Sequence, residues 1–242
     1  MLTSSRILRV AVLASRRAPG LSDLLARRGS DYDIVCCLSS EESLAEASLL
    51  DAEGVPLVRH PIARFASAMG WNRFDLDRRP SYDRATARLL RPYRPDLLLL
   101  AGYLCIVTRP LLEAYPGRIV NVHGSDLSLR NKEGNPLYPG LRAVRDAVRA
   151  GEPETRASAH LVTETVDAGP ILLRSPAFPV APWVATLRRT GAHHALNAYA
   201  HAHQEWMLAA AWGPLLVASI RVLAQDFRRP EARALPVAAG WA

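Results

Sequence analysis

Asn121 and His123 close an apolar run, Arg118-Ile119-Val120-Asn121-Val122-His123, and are followed by Gly124-Ser125. In an extended strand, residues i and i+2 project to the same face. The amide and the imidazole should therefore stand side by side at the end of a buried strand. Asn offers an N–H donor that does not titrate, and His can donate or accept a proton at the same centre. The pair suits a reaction in which an oxygen gains negative charge while an attacking nucleophile sheds a proton. A lone Asn-x-His triplet is more often a capping Asn and a hydrogen-bonded His. What adds weight is Val166-Asp167-Ala168-Gly169-Pro170 downstream. A carboxylate in that turn can hold an imidazole in one orientation and stabilise its protonated form, or fix a water that relays protons. Taken alone, an Asp before a glycine turn more commonly bonds its own backbone.

The surrounding pattern says what must position these groups. Short apolar runs at Ile7–Ser15, Tyr32–Leu38, Val55–His60 and Asp96–Gly102 read as strands, and the last, the most apolar, belongs at the sheet centre. Helical patterns alternate with them at Leu21–Arg28, at 39–52 from a capping pattern in Ser39-Ser40-Glu41-Glu42, at Tyr82–Leu90 and at Pro110–Tyr115. This alternation predicts an α/β fold with a Rossmann-like, mostly parallel sheet flanked by helices. Ile62–Arg79 reads as an irregular segment, a lid or a surface excursion. Ser125–Pro139 reads as a loop and Gly140–Ala150 as a helix. Arg156–Thr163 and Ile171–Val180 read as an antiparallel hairpin closed by the Asp167 turn. Pro182–Ala224 is helical, with a break expected at Gly213-Pro214. One catalytic domain over 1–227 and a loose tail over 228–242 follow. We find no internal repeats.

The chain has 242 residues and a formal net charge of +7. Lys132 is the only lysine, and the arginines are spread along the chain with no basic stripe interleaved with aromatics. Nucleic acid is not expected as a partner, whereas small anionic substrates remain open. No run reads as long enough to span a membrane. Cys36, Cys37 and Cys105 form no metal-binding or redox spacing, so reduced thiols and a cytoplasmic setting are expected. Cys36 and Cys37 should point to opposite faces of their strand. His160 alternates within its strand and reads as structural. His193, His194, His201 and His203 lack a carboxylate that would complete a metal site, and no metal is expected. Trp183, Trp206 and Trp212 read as core residues, any of which could wall a pocket. Arg16 and Arg17, after the first strand, could serve an anion through their side chains or simply be solvated.

Asn-Val-His, then Tyr-Pro-Gly-Leu-Arg at 138–142, then Ser-Ala-His-Leu-Val-Thr-Glu-Thr-Val-Asp-Ala-Gly-Pro-Ile-Leu at 158–172, with Leu-Leu-Ala-Gly-Tyr at 99–103, resemble the folate-dependent formyltransferases. The resemblance is nearest the phosphoribosylglycinamide formyltransferase branch, covers roughly Arg9 to Arg221, and is strongest from Asp96 to Leu173. It implies transfer of a formyl group from 10-formyltetrahydrofolate to a small-molecule amine by a monomer or homodimer. Asn121, His123 and Asp167 fall on the catalytic positions. The pterin would be held by Leu104, Cys105, Ile106 and Val107 and by Val162, Thr163 and Val166, largely through backbone groups. Arg79 matches an arginine that binds the folate tail, while Cys105 stands where another such arginine is usual. On the acceptor side the resemblance points to Ser15, Arg16, Arg17, Gly102 and Glu205. Three departures stand out. The glycine-rich phosphate loop is replaced by Ala14-Ser15-Arg16-Arg17-Ala18-Pro19-Gly20, removing the close backbone approach a phosphate needs. His123-Gly124-Ser125-Asp126-Leu127-Ser128 replaces a proline-containing stretch, with added residues before Tyr138, and the tryptophans lie in the C-terminal helices. An acceptor other than glycinamide ribonucleotide, in specialised metabolism, is therefore expected, with the purine-pathway substrate as the nearest rival. A non-catalytic small-molecule binder on the same scaffold is the rival of another class.

Overall fold

The computed structural model describes residues 7–227; the expected loose tail over 228–242 lies outside them. In chain order the elements are β1 (Leu8–Ala14), α1 (Leu21–Ala26), β2 (Tyr32–Ser39), α2 (Ala47–Ala52), β3 (Leu57–Arg59), α3 (Ile62–Ala68), α4 (Arg79–Leu90), β4 (Leu97–Leu100) and α5 (Arg109–Ala114). They continue through β5 (Ile119–His123), α6 (Ala143–Ala150), β6 (Glu154–Thr155), β7 (Ser158–Leu161), β8 (Ile171–Arg174), β9 (Phe178–Pro179), α7 (Val184–Arg189) and α8 (His193–Phe227). Seven strands form one sheet in the order β3-β2-β1-β4-β5-β7-β8, and β6 pairs with β9 separately. From β3 to β5 all pairings are parallel; β5–β7 and β7–β8 are antiparallel. The expected mostly parallel sheet, with the Leu97–Leu100 strand at its centre and an antiparallel hairpin at one side, is what the chain builds.

Parallel strands buried on both faces need apolar side chains in both directions. Two cores result. One holds Val10, Val12, Leu97, Leu99, Cys37 and the inner side of α8; the other holds Ala11, Leu13, Leu98, Leu100, Cys36 and Leu111. Cys36 and Cys37 thus face opposite layers, as the strand pattern predicts. The chain runs outward from β1 to β2 and β3, then returns to place β4 on the other side of β1. That reversal opens a crevice at the carboxyl ends of β1 and β4, the usual ligand position in such sheets.

The structure departs from the sequence reading in several places, and the expected strand Ile171–Val180 is one of them: it ends at Arg174, and Phe178–Pro179 pairs instead with Glu154–Thr155. The capping pattern at Ser39–Glu42 does not start a helix. Ser39 Oγ instead accepts from Glu41 N (3.2 Å) and donates to Glu41 O (2.9 Å), a local turn that competes with helix formation. The helix starts only at Ala47. The 62–79 segment is partly regular, since Ile62–Ala68 is α3, which buries Ile62 and Ala66. The break expected at Gly213-Pro214 is absent, and α8 is continuous for 35 residues. A proline crowds the Cβ of the residue before it, and Gly213 has none. Finally, α8 is long and apolar enough to cross a membrane by length and composition, although 61 % of its most apolar window is buried within the protein. It packs on α1, α6, α7, β5, β7 and β8, so its apolar residues serve the core.

Beside the sheet, His60 stacks on Tyr82 with ring centroids 4.1 Å apart, and its Nδ1 lies 3.1 Å from Thr86 Oγ1. Burial, and secondly the charge of Arg79, lower its pKa to about 4. An unfolded His takes up its proton near pH 6.5. Between there and about 4 the unfolded chain binds a proton that the folded chain refuses, so stability falls as the pH falls. The loss should approach about 3 kcal/mol. Denaturant unfolding at pH 7 and pH 4.5 should show a smaller gap for His60→Asn than for the parent; an equal gap would discard this account.

Candidate active site

β5 ends the parallel part of the sheet, and the antiparallel β7 lies against its far side. The register sets Asn121 opposite His160 and His123 opposite Ser158. Asn121 Nδ2 lies 3.2 Å from His160 Nε2, while His160 Nδ1 lies 3.0 Å from Leu161 O. A ring that donates from Nδ1 to that carbonyl keeps Nε2 as an acceptor. It therefore receives one Asn121 N–H and fixes the amide's orientation, leaving the second N–H free. Burial lowers the His160 pKa against the pull of Asp167, consistent with this neutral form.

Asp167 comes from the turn between β7 and β8. Its φ of 56° is left-handed, a conformation Asp tolerates better than most residues. That backbone turns the carboxylate back toward β5. Oδ2 lies 3.4 Å from His123 Nδ1 and accepts the Gly140 N–H at 2.8 Å; Oδ1 lies 3.7 Å from His160 Nε2. His123 Nε2 lies 2.9 Å from Tyr138 O, which also accepts from Ser125 Oγ. Both nitrogens of His123 therefore face oxygen acceptors. The Tyr138–Gly140 corner, part of the loop after β5, locks the imidazole and the carboxylate at once. Asn121, His123 and Asp167 thus converge at one point, all three on the wall of a cavity of about 840 Å³.

That wall also includes Arg16, Arg17, Gly102, Leu104, Cys105, Ile106, Val107, Val162, Thr163 and Val166. Residues 104–107 and Val162, Thr163 and Val166 thus share one cavity. Among the described residues, the N–H groups of Ile106 and Val107 donate to no acceptor within the chain. Such groups beside half-exposed Leu104 and Val166 fit a flat ring that is apolar on its faces and polar on its edge. Three expected residues are not on the wall. Ser15 is fully buried and joins the crevice's edges: its N donates to Gly102 O (3.2 Å) and its Oγ accepts from Leu104 N (2.9 Å). Glu205 is held by Arg17 through two contacts of 2.7 Å, and that partner lowers its pKa. Arg79, placed on a folate tail by resemblance, is 3 % exposed, lies over the Tyr82 ring and has Nε 3.8 Å from Asp83 Oδ1.

His160, read as structural, belongs to the site. Alternation put it in a strand, and only the antiparallel register reveals that it faces Asn121. Trp212, Leu208, Gln204 and Leu141 also line the cavity. Of the three tryptophans, Trp212 is the one that walls the pocket, whereas Trp183 and Trp206 are largely exposed. Among the described residues no group of His, Cys, Asp and Glu could hold a metal.

Gly102 shows how tightly the crevice is built. Its φ is 69°, and a Cβ there would lie 2.6 Å from Arg17 O. Gly102→Ala should therefore destabilise the fold by about 1–3 kcal/mol, read as a lower denaturation midpoint; an unchanged midpoint would contradict the contact.

Comparison with known proteins gives the family. A family model described as "Formyl transferase" matches residues 8–193. Phosphoribosylglycinamide formyltransferase of Escherichia coli is 36 % identical over 99 residues, 41 % of this chain and 43 % of that protein. The trifunctional purine biosynthetic protein adenosine-3 of Drosophila melanogaster is 32 % identical over 184 residues, 74 % of this chain. That match spans only 12 % of the Drosophila protein, so the chain covers under half of either relative. The solved structure of glycinamide ribonucleotide transformylase 1 from Symbiobacterium toebii superposes with a TM-score of 0.64 at 28 % identity, covering 90 % of this chain and 88 % of that one. With the family model spanning most of the sheet and the site, the chain belongs to the formyl transferase family.

Proposed function

We propose that the protein transfers a formyl group from 10-formyltetrahydrofolate to the amine of a small molecule, with Asn121, His123 and Asp167 as its catalytic residues. The observation that carries this reading is their convergence on one cavity wall, between two strips of backbone suited to a pterin. The free N–H of Asn121 stabilises the oxygen that gains charge when the amine attacks the formyl carbon. His123, oriented by Asp167, takes the proton that the amine sheds once the Tyr138 carbonyl releases its Nε2. Leu104, Cys105, Ile106, Val107, Val162, Thr163 and Val166 hold the donor. Arg79 would contribute to the donor's tail only through a rearrangement that frees it from Asp83. Arg17 and Glu205 border the acceptor.

The acceptor is a small amine other than glycinamide ribonucleotide, as in specialised metabolism. What supports this preference is the loop after β1, which has lost the glycines of a phosphate cradle. The names of the relatives favour the opposite reading, glycinamide ribonucleotide itself. Incubation with 10-formyltetrahydrofolate and a panel of primary amines tests the activity. We expect release of tetrahydrofolate that depends on the amine and yields an N-formyl product. A release rate indifferent to any amine would mean hydrolysis and would defeat the proposal.

A further inference from the structure

The loop at 14–20 is not an empty cradle, because the protein's own groups occupy it. The Ala18 N–H donates to the Glu46 carboxylate at 2.9 Å, and Pro19 has no N–H to offer. Ser15 N is spent on Gly102 O. The Arg17 guanidinium, which lines the cavity, is bound through both terminal nitrogens by Glu205. A phosphate arriving here would meet the carboxylates of Glu46 and Glu205 and no free amide at Ser15, Ala18 or Pro19, so its grip would fall to Arg16 and the N–H groups of Arg16, Arg17 and Gly20.

The wall nearest the catalytic strand is apolar. A Cβ built on Gly124, the residue after His123, would lie 3.0 Å from Val144 Cγ2 and 3.7 Å from the outer edge of the Trp212 ring. Leu208, one turn earlier on α8, continues that surface into the cavity. Hydrocarbon therefore lines the cavity beside the residue that follows His123, with Val144 2 % and Trp212 6 % exposed.

We infer that the acceptor is an unphosphorylated primary amine carried on an apolar or aromatic body, which seats on Trp212, Leu208 and Val144. This rests on the formyl-transfer reading above and goes beyond it by naming the acceptor's chemical class. Burial of the body against these side chains supplies the binding that a phosphate grip supplies elsewhere. In the transfer the amine nitrogen forms a bond to the formyl carbon, and the bond from that carbon to the donor nitrogen breaks. The amine's proton leaves through His123, and the donor nitrogen is reprotonated.

The test uses the whole chain with 10-formyltetrahydrofolate and three acceptors: 2-phenylethylamine, isopentylamine and glycinamide ribonucleotide. Donor binding is measured separately by calorimetry. We expect kcat/KM for at least one of the two apolar amines to exceed that for the ribonucleotide by roughly tenfold or more. Trp212→Ala should lower that value by a similar factor with donor affinity kept, and Trp212→Phe should restore most of it. Equal or faster formylation of the ribonucleotide overturns the inference, and so does a donor-binding enzyme that formylates neither apolar amine. Failure to bind the donor is a separate result, which removes the formyl-transfer reading and this inference with it.

Discussion

Alanine at position 123 should lower formyl transfer by about two to four powers of ten, the usual worth of a positioned general base. The imidazole is nearly buried and held at both ends, by the Asp167 carboxylate at 3.4 Å and the Tyr138 carbonyl at 2.9 Å. Nothing else in the site can take its place: His160 is neutral, and its Nε2 is committed to Asn121. The loss should fall on kcat, because the role proposed for the residue is toward the attacking amine and not the donor's ring. Single-turnover assays with donor binding measured in parallel would separate the two. Turnover within a few-fold of the parent would exclude His123 as the base.

Asparagine at position 167 should be nearly as damaging, about two to four powers of ten, with the fold intact. Asn accepts the same left-handed backbone, so the turn at φ 56° survives. What is lost is the charge that faces His123 on one side and His160 on the other. The amide can also turn its N–H toward His123 and compete with the orientation the carboxylate enforces. A kcat lowered by that factor, beside an unchanged thermal midpoint and unchanged donor affinity, is the expected signature. A parent-like kcat would show that the carboxylate only shapes the turn.

The sequence revealed the three proposed catalytic residues better than it revealed their supports. Asn121 and His123 were legible because a strand's two-residue period places them together, and Asp167 because its turn sits between two apolar runs. His160 was not legible, since its role depends on which residue of β7 falls opposite Asn121, a matter of register that no local pattern encodes. Glu46 was likewise invisible. Its bond to Ala18 joins residues 28 apart and depends on where the chain between β2 and α2 folds back. The sheet was readable from its apolar strands, whereas the helix starts were not. Ser39 had a cheaper local use for its hydroxyl, and Gly213 relieved the crowding that Pro214 would otherwise cause. The tethering of Glu205 by Arg17 fell between these extremes. Both residues were singled out, but their joining across 188 positions was not foreseen.

The contact between Gly20 and Gly213 has a consequence for selectivity. A Cβ at Gly20 would lie 2.7 Å from Gly213 N, so two backbones touch with nothing compressible between them. Trp212 is the neighbour of that contact, so the helical side of the cleft has no slack there. Phe74 and Leu141, which also line the cavity, lie in turns and loop and are largely exposed. Guests of increasing bulk should meet a tolerance that differs by direction: graded slackening where they lean on the loops, and abrupt exclusion where they press on the helix.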